Sequence, residues 1–197
     1  GFNVTIPHKE KALALADDIS PEAQRIGAAN TLIKTDNGKI RGDNTDGYGF
    51  MTNLISQINT WHPAAGPSLV LGAGGAARAI LVALLDAGVP KIYLCNRTRD
   101  RAEDLAGDIS DCIEVIDWED KQNILPDVFT VVNATSLGMT GKPPLELDLK
   151  NVNPDALVTD LIYAPLETQL LRDARARGCE VVSGIGMLLH QGVPGFD

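Results

Sequence analysis

No stretch of this sequence is both long and free of charge. The most apolar run, Ala76 to Ala87, carries Arg78 and falls well short of the roughly 20 residues that a bilayer-spanning helix needs, so no membrane partner is expected. Blocks of Lys and Arg are missing as well. With a net charge of -9, the chain has no basic footprint for a phosphate backbone, which argues against nucleic acid as a partner. Cysteine is scarce: Cys95, Cys112 and Cys179 are odd in number, widely spaced and set in apolar surroundings. They read as buried free thiols in a reducing compartment, the cytoplasm. His8, His62 and His190 are equally scattered, and no metal-ligand spacing is present, so no metal is expected. There is no secretory signal, internal repeat or low-complexity tract, and the chain opens on glycine rather than methionine, so its natural start is expected to lie upstream.

What remains is the composition of an ordinary globular protein, 44% hydrophobic and 22% charged. A chain of 197 residues falls between one large domain and two small ones.

The first part reads as short mixed elements. Phe2 to Ile6 suggests a strand, and Lys9 to Asp17 a helix with Ala12, Leu13, Leu15 and Ala16 on one broad face. Ser20-Pro21-Glu22 looks like a helix start, with Ser as N-cap and Pro at the first helical position. Thr31–Lys34 and Lys39–Arg41 flank Thr35-Asp36-Asn37-Gly38 as a β-hairpin. A helix follows Asp46 to about Ile58, and Trp61 to Pro67 breaks every regular pattern.

From Ser68 the pattern alternates. Apolar strands at 68–71, 91–95, 113–116, 128–133, 157–161 and 180–182 are separated mostly by helical stretches. Such strands, covered on both faces, indicate a doubly wound parallel sheet. The expected division is a partial α/β catalytic domain over 1–46, a connecting helix and linker over 47–66, a Rossmann-like nucleotide domain over 67–184, and a returning helix over 185–197.

Ser68-Leu69-Val70-Leu71 runs into Gly72-Ala73-Gly74-Gly75-Ala76-Ala77. The spacing Gly72, Gly74, Ala77 fits the dinucleotide fingerprint in its G-x-G-x-x-A form, with the required strand before and helix after. Gly72 permits the tight turn, Gly74 admits a pyrophosphate, and the helix N-terminus offers N–H groups to the anion. The next strand ends where an NAD-preferring domain would carry an acid for the ribose hydroxyls. Instead come Asn96-Arg97-Thr98-Arg99-Asp100-Arg101. Arg97 and the Thr98 hydroxyl suit a 2′-phosphate, so the cofactor is expected to be NADP. The competing reading is a solvated helix start capped by Asn96 or Thr98.

Hydride transfer to a carbonyl needs a proton donor nearby. Asn3, Thr5 and Lys9 cluster at a strand end, Asn30 follows Ile26-Gly27-Ala28-Ala29, and Asp46 closes Gly42-Asp43-Asn44-Thr45. Taken singly, each also reads blandly: Lys9 as a solvated helix residue, Asn30 as a strand-edge side chain, Asp43 or Asp46 as a turn former or cap.

Seven motifs in order, NVTIPHK, RIGAANT, GDNTDGYG, VLGAGGAARA, NRT, NATSLGM and GIGMLLHQG, closely resemble the shikimate dehydrogenase family over essentially the whole chain. The resemblance implies reversible NADP-dependent reduction of 3-dehydroshikimate to shikimate, a step of aromatic amino-acid biosynthesis. It implies Lys9 as catalytic acid/base and Asp46 as its partner at the substrate. Thr5 and Asn30 would bind substrate hydroxyls, and Tyr163 and Gln191 would close the site. Gly72, Ala73, Gly74, Gly75, Ala76 and the segment Asn96 to Arg101 would hold the cofactor, with Leu161 and Gly184 near the nicotinamide. The family's N-terminal serines, which bind the substrate carboxylate, fall outside this sequence, further helix usually follows Phe196-Asp197, and Gly192 stands where Ala is frequent. Two alternatives stay open: a quinate/shikimate dehydrogenase using NAD or NADP, and an inactive NADP-binding fragment. A monomer and a homodimer are equally compatible with the sequence.

Overall fold

The computed structural model describes residues 1–5 and 7–195; Ile6, Phe196 and Asp197, on which parts of the first strand and last helix were expected, lie outside the described residues. The chain builds two sheets. The first has four short strands, β1 (Phe2–Asn3), β2 (Asp18–Ile19), β3 (Thr31–Lys34) and β4 (Ile40–Asp43), in the order β1-β3-β4-β2. β3 and β4 form the expected hairpin, with Thr31 opposite Asp43 and Lys34 opposite Ile40. Gly38 takes φ 83° in its turn, a left-handed conformation that costs glycine little.

Helices α1 (Lys9–Ala14) and α2 (Pro21–Ile26) precede the hairpin. The start of α2 follows the sequence: Ser20 Oγ accepts from the Ala23 N–H at 3.1 Å, and Pro21 stands at the first helical position. α1 is shorter than expected. It ends at Ala14 because the chain must turn into β2, where the Asp17 N–H donates to the Ile40 carbonyl at 2.8 Å. Leu15, counted on the apolar face, is therefore 76% exposed. β2, two residues long, carries no periodic signal and was not foreseen.

The second sheet is wholly parallel. Its strands are β5 (Ser68–Leu71), β6 (Ile92–Cys95), β7 (Ile113–Val115), β8 (Thr130–Asn133), β9 (Leu157–Asp160) and β10 (Glu180–Val182), in the order β10-β9-β8-β5-β6-β7. β5, β8 and β9 are buried along their whole length, which is why they read as continuous apolar runs. Helices α4 (Gly75–Asp86) and α5 (Arg99–Ile109) follow β5 and β6, and α6 (Gln169–Ala176) precedes β10. One apolar layer around Ile80, Leu84 and Leu94 packs on one face and another around Leu71, Leu125 and Val158 on the other. The strand order reverses between β5 and β8, and a crevice opens there beyond their carboxyl ends.

Helices α3 (Asp46–Gln57) and α7 (Ile185–Gly192) join the two sheets. They cross at contact distance. A Cβ on Gly49 would lie 2.7 Å from the Gln191 nitrogen, and one on Gly186 would overlap Asn53 Oδ1. Asn53 Nδ2 donates to the Ser183 carbonyl at 2.9 Å, fixing where α7 begins. Of the cysteines, Cys95 and Cys179 are buried and free as expected, whereas Cys112 is free but exposed, because it sits in the turn between α5 and β7.

Candidate active site

The turn after β1 brings Lys9 into position. The His8 N–H donates to the Thr5 carbonyl at 2.9 Å, and the Ala29 N–H to the Lys9 carbonyl at 2.9 Å, which pins the first residue of α1 against the strand that follows α2. Lys9 is 8% exposed and its Nζ donates to Asp46 Oδ2; Asp46, the first residue of α3, is 0% exposed. The solvated reading of Lys9 therefore fails. Two charges withdrawn from water cost several kcal/mol each, to order of magnitude, unless paired and hydrogen-bonded, and here they are both. At the first turn of α3 the helix dipole also favours the carboxylate.

Asn30 completes the cluster. Its Nδ2 donates to Asp46 Oδ1 at 2.9 Å and to Thr45 Oγ1 at 3.0 Å, while its Oδ1 accepts from the Thr45 N–H at 3.0 Å and from Thr31 Oγ1 at 2.9 Å. Gln191 reaches it from α7, with Oε1 3.5 Å from Asn30 Nδ2, and the Thr45 hydroxyl donates to the Gln191 carbonyl at 2.8 Å. Lys9, Asp46, Asn30 and Gln191 are thus brought together from four separate segments. Asp43 keeps its bland role: it accepts from Ser20 Oγ at 2.5 Å and from the Asn44 N–H at 2.7 Å.

The glycine loop meets this cluster directly. A Cβ on Gly75 would stand 3.2 Å from Lys9 Cβ, so the missing side chain is what lets the two sheets approach here. Pro7, Lys9, Glu10, Gly74, Gly75, Ala76 and Arg101 line one cleft of about 190 Å³. Gly72 has φ 107°, and a Cβ there would meet Ala134 carbonyl atoms at 3.1 Å, so turn and packing both demand glycine. Nothing lies within 4 Å of a Cβ on Gly74, and Gly74 caps α4 without a side-chain partner for the first N–H groups. These features fit a dinucleotide pyrophosphate at the helix N-terminus.

Past β6, Asn96 Nδ2 donates to the Thr98 carbonyl at 2.8 Å and orders the turn. Arg97 and Thr98 are exposed, and Arg97 makes no ion pair among the described residues. Arg99 is committed elsewhere, to Glu103 and Asp117 at 2.7 Å each, so among the described residues Arg97 and Arg101 are the cations of this segment without an ion pair. Asp100 is exposed and Ala73 half-buried. Leu161 and Gly184 are adjacent: a Cβ on Gly184 would overlap the Leu161 carbonyl. Thr5 is exposed with no side-chain hydrogen bond among the described residues, and Tyr163, 45% exposed, does not line the cleft that holds Lys9. Asn44 and Thr45 belong to the GDNTDGYG motif, which assigns them no role of their own. Asn44 accepts from the Asp46 N–H at 3.0 Å and donates to the Ala28 carbonyl at 2.8 Å, and only a residue-by-residue reading of GDNTDG would have separated these duties.

A parallel sheet with a glycine turn at its switch point, faced by a buried Lys–Asp pair from outside that sheet, defines a nicotinamide-dinucleotide oxidoreductase. Comparison with known proteins narrows this. Residues 1–32 match the family model described as the shikimate dehydrogenase substrate binding domain, and residues 60–140 match that of shikimate / quinate 5-dehydrogenase. The NADP(+) shikimate dehydrogenase of Paracoccus denitrificans is 55% identical over all 197 residues, which span 70% of that protein. The shikimate 5-dehydrogenase of Thermus thermophilus, solved with NADP(H) and shikimate, superposes with a TM-score of 0.85 at 40% identity, over 98% of this chain and 70% of that one. The quinate dehydrogenase of Corynebacterium glutamicum, solved with NAD, gives a TM-score of 0.91 at 33% identity, over 98% and 70%. The chain belongs to the shikimate dehydrogenase family. Among the described residues no helix is long and apolar enough to cross a membrane, and no three His, Cys, Asp or Glu side chains gather where they could hold a metal ion.

Proposed function

We propose that this chain interconverts shikimate and 3-dehydroshikimate with NADP as the hydride carrier. The observation that carries the proposal is the buried Lys9–Asp46 pair lying against Gly75, at the mouth of the dinucleotide loop. Bound NADPH would supply the hydride. Lys9 then donates a proton from Nζ to the carbonyl oxygen as negative charge develops there, and in the reverse direction takes the hydroxyl proton. Asp46 holds the ammonium in place and, with Asn30, offers hydrogen-bonding atoms to substrate hydroxyls. Thr5, Gln191 and Tyr163 are assigned to the substrate, Gln191 with the support of its approach to Asn30. Gly72 to Ala76 would cradle the pyrophosphate, Asn96, Arg97, Thr98 and Arg101 the adenosine 2′-phosphate, and Leu161 and Gly184 would border the nicotinamide; Arg99 and Asp100 would shape the turn.

The NAD-bound quinate relative favours a second reading, oxidation of quinate with NAD. Arg97, unpaired and without a neighbouring acid at the end of β6, favours NADP. Oxidation of shikimate and of quinate, each with NADP+ and with NAD+, separates the two. Shikimate with NADP+ is expected to give the highest kcat/KM. A preference for quinate with NAD+ would replace the first reading by the second, and binding of neither cofactor would refute both.

A further inference from the structure

Asp160, the last residue of β9, is wholly buried, lies outside the Lys9 cluster, and has no role in the proton transfer. Its carboxylate only accepts. Oδ1 takes Asn133 Nδ2 at 3.1 Å and the Ile162 N–H at 3.0 Å, and Oδ2 takes the Thr168 hydroxyl at 2.7 Å. Burial pushes its pKa up, and these three donors oppose the shift.

Each donor leads to a loop. Asn133, the last residue of β8, folds the next turn around itself: its Oδ1 accepts from the Thr135 N–H at 3.0 Å and Thr135 Oγ1 at 2.7 Å, and its Nδ2 also donates to the Leu137 carbonyl at 3.1 Å. That turn presses on the glycine loop, for Thr135 Cγ2 would be 3.0 Å from a Cβ on Gly72. Ile162 carries the second loop. The Gly184 N–H donates to the Ile162 carbonyl at 3.3 Å, and Leu161 lies against Gly184. Thr168 fixes the far end of this loop at the start of α6.

We infer that Asp160 is a positioning residue of the cofactor site, holding through Asn133 and Ile162 the two loops that frame its nicotinamide end. This rests on the cofactor reading above. A buried carboxylate is costly where any polar group would do, and this one ties three segments together through side-chain hydrogen bonds. Its task is geometric. In Asp160→Asn the amide oxygen can keep Asn133 and Ile162, because the Thr168 hydroxyl can turn to accept from the new N–H groups. In Asp160→Ala all three links are lost.

The test titrates NADPH and, separately, 2′,5′-ADP into the intact chain, reading the emission of the bound dihydronicotinamide and both dissociation constants. For Asp160→Ala the nicotinamide emission change should at least halve and the Kd of NADPH rise about fivefold, with the Kd of 2′,5′-ADP within about twofold of the unsubstituted chain. Asp160→Asn should behave as the unsubstituted chain. If Asp160→Ala is unfolded by circular dichroism, Asp160→Asn with Thr168→Val replaces it, since the amide then lacks its acceptor and the same losses should appear. Normal emission and affinity in that variant would overturn the inference, as would equal weakening of both ligands or an Asp160→Asn as defective as the alanine. No response of the unsubstituted chain to NADPH would instead overturn the cofactor reading, and the inference with it.

Discussion

Replacing Lys9 by methionine keeps the stem that packs on Gly75 and removes the charge. Asp46 is then left at 0% exposure with Asn30 Nδ2, 2.9 Å away, as its remaining side-chain donor. Removing one member of a buried pair costs about 3–5 kcal/mol, against ~0–1 for an exposed pair. Lys9 is 8% exposed, so solvent screening takes little from that figure. The first turn of α3 returns ~0.3–1 kcal/mol to the orphaned carboxylate, which places the expected loss near the lower end, about 3 kcal/mol. Asp46→Leu alone should cost a similar amount by stranding the ammonium. The double substitution should recover most of it, since an apolar pair of similar volume commonly matches or exceeds a buried ion pair. Urea unfolding of the four proteins closes the cycle, provided the slope with denaturant is common to all. All three variants should be inactive, so stability and activity part company in the double variant. A loss below ~1 kcal/mol for Lys9→Met with no coupling to Asp46 is the signature of an exposed pair, and would refute the burial on which the site rests.

Three further outcomes follow from single positions. Gly74→Ala meets nothing in the protein, so its unfolding midpoint should hold while its Kd for NADPH rises about tenfold or more from the methyl group in the pyrophosphate's path, measured by fluorescence titration; unchanged affinity would move the pyrophosphate elsewhere. The Cys95 thiol, pushed up to about 12 by burial, is ionised to roughly one part in ten thousand near pH 8. Mass spectrometry after alkylation of the native protein should find exposed Cys112 modified and Cys95 intact, and comparable labelling of the two would contradict the burial of Cys95. The Asp160 carboxyl is raised from 3.8, mainly by burial, so between 3.8 and its folded value the native state holds a proton that the unfolded chain releases, and this contribution to stability falls as pH rises. Relative to the unsubstituted protein, Asp160→Asn should therefore gain stability from acid toward neutral pH in urea titrations, and a constant difference would show that the carboxyl is not perturbed.

The parallel sheet was legible because its strands are covered on both faces and so spell uninterrupted apolar runs; β5, β8 and β9 stand where they were expected to within two residues. The order of those strands was not legible, since crossover connections leave no local pattern. β2 is too short to show a period, and α1 stops early through a backbone bond to β4 that lies 23 residues away in the chain. In the site, the glycine loop could be read from its flanks. Lys9 could not be told from a surface lysine by local pattern, because its burial comes from Gly75, on an element 66 positions further on. Asp160 went unread for a related reason: a polar residue ending an apolar strand looks like the start of a turn, and its three donors come from three different segments.

Lys9, held by Asp46 against the dinucleotide loop, is the group proposed to move the proton. NADP+-dependent oxidation of shikimate by the intact chain and by Lys9→Ala, with NADP+ affinity measured for both, puts this to the test. Turnover by the unsubstituted chain and a fall in kcat of about 10²–10⁴-fold in the variant, with NADP+ affinity unchanged, is the predicted result. Near-normal kcat in Lys9→Ala would contradict it.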